Sequence, residues 1–234
     1  YEGDEYISAD NQLYVVISVD DSAHQAVAMP MGAEPDYDAD RARAVFASAE
    51  KKDGSKDDGR KLIAIYSTHS DESYENGDGA ASLAKNAGIY DVDRALKKAL
   101  EEKGMTVELS TNTHLPHDTK AYSRSRRTAE ELLKLAPDAL LDIHRDGIPD
   151  ESEYETEVDG EETSKVRLLV GRSNPNADAN REFAKQIKAT ADEKYKGLVK
   201  DIFIGKGNYN QELYPRSILL EFGTHTLDKE LAID

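Results

Sequence analysis

Residues 139–147 read Ala139-Leu140-Leu141-Asp142-Ile143-His144-Arg145-Asp146-Gly147. The run Ala139–Ile143 has the length and apolarity of a strand, and it ends on a histidine. Asp142 precedes that histidine by two positions, so a strand's period of two places both side chains on one face. Two similar runs lie far off in the chain. Leu62–Tyr66 (LIAIY) leads to His69, and Ser217–Phe222 (SILLEF) carries Glu221 near its end.

Working outward, amphipathic helices separate these strands. Val92, Ala95, Leu96, Ala99 and Leu100 fall at helical spacing, with Gly104 placed to end the helix. Met105–Leu109 reads as a strand, and Tyr122–Leu135 as a second helix stopped by Pro137. Val166–Val170 and Leu198–Ile204 read as further strands, flanking a helix marked by Ala179, Phe183, Ile187, Ala191 and Tyr195. This alternation predicts an α/β fold, a mostly parallel sheet with helices on both faces. Such sheets bind ligands beyond the carboxyl ends of their strands. His69, His144 and Glu221 all fall there. The acidic stretch Asp150–Glu162 contains Asp159-Gly160, a strong turn dipeptide, and is expected to be a solvated hairpin, with a lid as the alternative.

The first 60 residues lack this rhythm. Residues 1–33 hold strand-like Tyr6–Ser8 and Leu13–Val19 and are expected to form a small β appendage. Residues 34–60 are polar and charged and are expected to be mainly linker, with one short helix at Asp40–Ala49. Residues 61–234 are then expected to form the main α/β domain, which carries the candidate site residues.

Composition narrows the chemistry. The formal charge is -17 over 234 residues, which argues against nucleic acid as a partner because phosphate binding needs clustered Lys and Arg. The basic patch Arg124–Arg127 falls at helical spacing and reads as a solvated helix face. There is no cysteine, so any transition-metal site must use His, Asp and Glu. No apolar run is long enough to span a membrane.

In YSTHSDESY (66–74), His69 and Glu72 are spaced to present one nitrogen and one carboxylate to the same ion. In isolation the pair reads better as solvated turn chemistry. Asp142 could fix the imidazole of His144 or cap a neighbouring loop. Glu221 sits among Leu219, Leu220 and Phe222, where a carboxylate is costly to bury unless paired or functional; the plain account, an ion pair to Arg216, sits less comfortably with those apolar flanks. Arg145 suits a substrate carboxylate or an ordinary surface ion pair. His114 and His117 flank Pro116 in a loop and are expected to be exposed and uninvolved; His24 is remote. No phosphate-binding glycine loop and no nucleophile elbow is present.

Five segments together resemble the stage II sporulation protein P family: YSTHSDESY (66–74), YSRS (122–125), DIHRDG (142–147), NPNADANREF (174–183) and YNQELYPRSILLEFG (209–223). The resemblance covers about residues 61–234 in order. It implies an amidase-like fold and a zinc-dependent N-acetylmuramoyl-L-alanine amidase acting on peptidoglycan. It also implies an endopeptidase cut of cross-linked stem peptides, during forespore engulfment. The sporulation protein D transglycosylase is the implied partner. The implied location is extracytoplasmic, with membrane attachment only through an anchor absent from this chain.

On that reading His69, Glu72 and His144 hold Zn2+, and Glu221 is general base and then general acid. Arg145, Tyr209 and Asn210 are candidates for substrate contacts, and Asp142 orients His144. The related amidases place their ligating Glu nearer the following helix, where no Glu occurs between Gly77 and Asp93; Glu72 is preferred here over Glu75. His225 also departs from its relatives. The alternatives are a zinc carboxypeptidase on stem peptides and a catalytically inactive wall-binding scaffold.

Overall fold

The computed structural model describes residues 1–50 and 61–234. Its strands are β1 (Glu5–Ser8), β2 (Gln12–Asp20), β3 (Gln25–Ala33), β4 (Leu62–Tyr66), β5 (Thr106–Leu109), β6 (Ala139–Asp146), β7 (Glu155–Val158), β8 (Glu161–Ser164), β9 (Val166–Gly171), β10 (Val199–Gly205) and β11 (Ser217–Thr224). Its helices are α1 (Ala39–Glu50), α2 (Glu75–Asp78), α3 (Ile89–Glu102), α4 (Ala121–Leu133), α5 (Ala177–Lys194) and α6 (Lys229–Ile233).

Nine strands form one mixed sheet in the order β3-β2-β1-β10-β9-β11-β6-β4-β5. From β4 onward it is mostly parallel, with β9–β11 as the antiparallel exception. Alternate residues of β4 explain the layering. Ile63 and Ile65 pack into the cluster that contains Val92 of α3, while Ala64 and Tyr66 pack with Ala129 and Leu132 of α4. A period of two therefore puts α3 and α4 on opposite faces of the sheet. The α5 residues Ala184 and Ile187 join the same cluster as α3, against β9 and β10.

Residues 1–33, expected as an appendage, form the antiparallel margin of this sheet. β1 pairs with β10, and its Ile7 is fully buried in the main core. β1 presents a single apolar residue inward, too little periodicity to reveal in sequence that the strand belongs to the larger sheet. In the stretch expected as linker, α1 packs Ala42 and Phe46 on Ala179 and Phe183 of α5. Glu34 pairs with Arg181 at 2.8 Å and Lys185 at 3.3 Å. Residues 51–60 of that stretch lie outside the described residues.

The acidic segment forms the hairpin β7–β8, turning through Asp159 and Gly160, both at positive φ as a two-residue turn requires. Among the described residues, no helix is long and apolar enough to cross a membrane.

Candidate functional site

His69 lies in the loop after β4, and His144 lies near the carboxyl end of neighbouring β6. The loop folds back so that Glu72 sits between them. His69 Nδ1 is 3.1 Å from Glu72 Oε1, and His144 Nδ1 is 3.3 Å from the same oxygen. One ligand atom from each of the three residues lies within 4.8 Å of the others. Glu75, the other carboxylate considered, is exposed at the start of α2.

This donor set fits zinc. Bonds of about 2.0–2.1 Å in tetrahedral geometry separate ligand atoms by about 3.3 Å, close to both His–Glu spacings. Electrostatics agrees. Burial opposes charge on His144, yet Asp142 and Glu72 hold its pKa well above the usual imidazole range. Burial would raise the Glu72 carboxyl, but His144, His69 and Arg145 hold it well below the usual carboxylate range. Two buried carboxylates thus make a pocket that favours positive charge.

Backbone contacts set the loop's shape. Asp142 accepts from the Thr68 amide at 2.8 Å and the Thr68 hydroxyl at 2.7 Å, tying the loop to β6. His144 Nε2 is 3.1 Å from Asp142 Oδ1 without the alignment of a hydrogen bond, so that contact is ionic. The Arg145 amide donates to Glu72 Oε2 at 3.0 Å. The Arg145 guanidinium donates to the carbonyls of Ser73 (3.1 Å), Ala81 (2.7 Å) and Asp146 (3.3 Å). Arg145 clamps the loop that carries Glu72.

Glu221 is the register partner of His144 across β11–β6, and of Arg167 across β11–β9. Arg167 in turn faces Asp201 of β10, which it grips through two bonds of 2.8 and 3.0 Å. A polar row, Asp201–Arg167–Glu221–His144, therefore crosses four strands. Arg167 is the cation beside Glu221, at 3.8 Å, and also binds Asp146 at 2.8 Å. Arg216, the pairing partner considered from sequence, instead lies over the Phe46 ring. Burial first, and then the Asp146 carboxylate, push the Glu221 carboxyl up to about 8.

Aromatic rings line the cluster. Tyr122 meets His69 edge-on at 5.4 Å and Tyr209 at 5.5 Å. Tyr209 and Asn210 both have φ of 58°. That is left-handed backbone, rare for a bulky residue. Gly207 runs so close to the Tyr209 ring that a Cβ there would not fit. Asn210 is buried and its amide donates to Tyr122 O (2.9 Å) and Ser125 Oγ (3.1 Å), which fixes the start of α4.

Sequence reasoning missed three residues. His114 is buried, bridging Ser67 O and Thr128 Oγ1 at 2.9 Å each, against the expectation of exposure. His117 stacks on His69 with ring centroids 4.1 Å apart. Tyr154, from the acidic segment, is fully buried and reaches Asp146 at 2.7 Å and Glu221 at 3.3 Å. Its signal was a lone aromatic side chain within ESEYETE (151–157).

Among solved structures the chain is similar to the amidase AmiC2 of Nostoc punctiforme, at 15% identity over 71% of this chain and 81% of that one, TM-score 0.37. It is also similar to the CwlD amidase from Clostridioides difficile, solved in complex with the GerS lipoprotein, at 14% identity over 73% and 86%, TM-score 0.42. Stage II sporulation protein P of Bacillus subtilis (strain 168) is 27% identical over 183 residues, 70% of this chain. The match spans 45% of that relative's own length. The family model for stage II sporulation protein P matches residues 6–232, reaching into the N-terminal stretch where no motif was recognised. The chain belongs to the stage II sporulation protein P family.

Proposed function

We propose that the chain is a zinc-dependent peptidoglycan hydrolase, an N-acetylmuramoyl-L-alanine amidase that also cuts cross-linked stem peptides. The observation that carries this reading is the His69–Glu72–His144 cluster beside Glu221, at the carboxyl ends of adjacent parallel strands. Family membership supports a sporulation role. From that resemblance follow a place in engulfment, action outside the cytoplasm through an anchor beyond this chain, and partnership with the sporulation protein D transglycosylase.

His69, Glu72 and His144 would hold the zinc, which when bound would supply Lewis-acid polarisation of the amide carbonyl and a lowered pKa for water. The protein's own groups do the rest. Glu221 takes a proton from the attacking water and returns it to the leaving amine nitrogen. Asp142 and the Arg145 amide hold His144 and Glu72 in place. Tyr122 and Tyr209 offer ring surface for the glycan or stem. Positive charge beside His144 favours the ionised form of Glu221, which the base role needs.

Mass analysis of products from purified wall fragments tests this reading, before and after chelation and zinc return. Glycan ending in a free lactyl group marks the amidase, and trimmed stems mark a peptidase. Full wall cleavage by the metal-free protein would overturn it.

A further inference from the structure

The hairpin β7–β8 and the turn before it are acidic and largely exposed, yet their one tyrosine has no solvent-exposed surface. We infer that Tyr154 is a positioning residue for Glu221, and that this acidic hairpin serves the site by delivering it. The inference rests on Glu221 being the proton carrier.

Among the described residues, the Tyr154 hydroxyl is the one hydrogen-bond partner of the Glu221 side chain, at 3.3 Å. The same hydroxyl donates to Asp146 Oδ2 at 2.7 Å, and Arg167 binds that oxygen at 2.8 Å. A phenol both donates and accepts. While Glu221 is a carboxylate, the phenol hydrogen can turn to it, because Arg167 still satisfies Asp146. Once Glu221 holds a proton, it can donate to the phenol oxygen while the phenol donates to Asp146. Tyr154 thus has a bond to offer Glu221 before and after proton uptake, as a group that acts first as base and then as acid requires.

The ring is fixed independently of Glu221. The Lys165 amide donates to the Tyr154 carbonyl at 2.7 Å, and the Tyr154 amide donates to Glu151 O at 2.8 Å. Lys200 Nζ lies 5.2 Å from the ring centroid, and it also pairs with Glu153. The turn Glu151–Glu153 and Lys165, at the link from β8 to β9, therefore staple the tyrosine from both sides. Arg167 cannot substitute for it, because its guanidinium already holds Asp201 and Asp146 and approaches Glu221 only to 3.8 Å.

The test compares Tyr154→Phe with the wild type on a soluble muropeptide carrying the lactyl–alanine amide, with zinc content and Tm measured on both. The expected result is a kcat lower on the order of 10- to 100-fold, with KM and zinc content nearly unchanged and Tm lower by only a few degrees for the lost bond to Asp146, since sub-ångström misplacement of a reacting group costs rate rather than binding. Glu157→Gln, on the exposed side of the hairpin, is expected to keep wild-type kcat. In a Glu221→Gln background, single-turnover cleavage is expected to show no further loss on adding Tyr154→Phe. Wild-type kcat in Tyr154→Phe, or an equal loss in both backgrounds, overturns the inference while leaving the Glu221 reading intact. Full activity of Glu221→Gln overturns both. Should that background have no measurable activity, the kcat-against-KM split in Tyr154→Phe decides.

Discussion

His117 lies flat on His69, ring centroids 4.1 Å apart and planes 23° apart, with its Nδ1 3.0 Å from Asp71 Oδ1. Metal-binding imidazoles usually give their second nitrogen to a carboxylate or carbonyl. Among the described residues the second nitrogen of His69 has no such partner, so its ring orientation depends on packing between His117 and Tyr122. Asp71 fixes His117 and is itself held by the Ser82 hydroxyl at 2.6 Å. His117→Ala is expected to weaken zinc binding by about tenfold, as removal of such supporting groups does. His117→Phe, which keeps the stack, is expected to retain most of the affinity. Competition with a calibrated chelator measures both, and equal affinity in wild type and alanine variant would remove His117 from the site.

The choice of Glu72 over Glu75 is open to a direct test. On the zinc reading, zinc added to the metal-free wild type is expected to stabilise it by mass action, by about 2.7 kcal/mol at a concentration of 100 Kd. Glu72→Gln is expected to lose that rise in Tm, since a carboxamide cannot replace the buried anion between the two imidazoles. Glu75→Gln is expected to show the whole wild-type shift, because its side chain is exposed outside the cluster. Thermal melts with and without zinc separate the two.

What the sequence revealed and what it hid follow one physical rule. The apolar runs that end on His69, His144 and Glu221 were legible because each strand declares itself by its own composition. The loop geometry bringing Glu72 between the imidazoles depends on Thr68–Asp142 and on Arg145, contacts between residues about 70 positions apart. No local pattern announces those. The polar row Asp201–Arg167–Glu221–His144 exists only once strand order and register are known, and of its four members only Glu221 and His144 stood out in the sequence. Residues 1–33 read as independent because β1 meets β10 through a single buried isoleucine.

Asp93 links stability to pH. It is fully buried on α3, with Ser67 Oγ at 2.9 and 3.1 Å from its two oxygens, and burial raises its carboxyl to about 7. The folded state then keeps a proton that the unfolded chain releases above the ordinary value of 3.8. Stability contributed by this group is full below the unfolded value and falls by up to about 1.4 kcal/mol per pH unit as pH rises towards the folded value. Asp93→Asn imitates the protonated form and removes that fall. The expected outcome, measured on metal-free protein by denaturant melts, is near-equality with wild type at pH 4 and a growing advantage for the variant up to about pH 7. A variant less stable by the same amount at every pH would show that Asp93 does not titrate there.

Arg145 and Tyr209 both suited substrate contact in sequence, and their surroundings now separate them. Arg145→Met breaks three charge-assisted bonds, to the loop carbonyls of Ser73 and Ala81 and to that of Asp146 in β6, and is expected to cost about 2 kcal/mol or more, with little effect on KM where the protein stays folded. Tyr209 is partly exposed, faces Tyr122 edge-on, and sits on left-handed backbone. Tyr209→Gly relieves backbone strain of about 1–2 kcal/mol. It also forfeits packing of a half-buried ring, a loss of roughly the same size. The two effects nearly cancel, so Tm is expected to move by only a few degrees. If Tyr209 contacts the substrate as proposed, KM for soluble wall fragments is expected to rise severalfold on loss of the ring, with kcat little changed. A fall in Tm without a change in KM would place Tyr209 with Arg145, as support for the loops around the site.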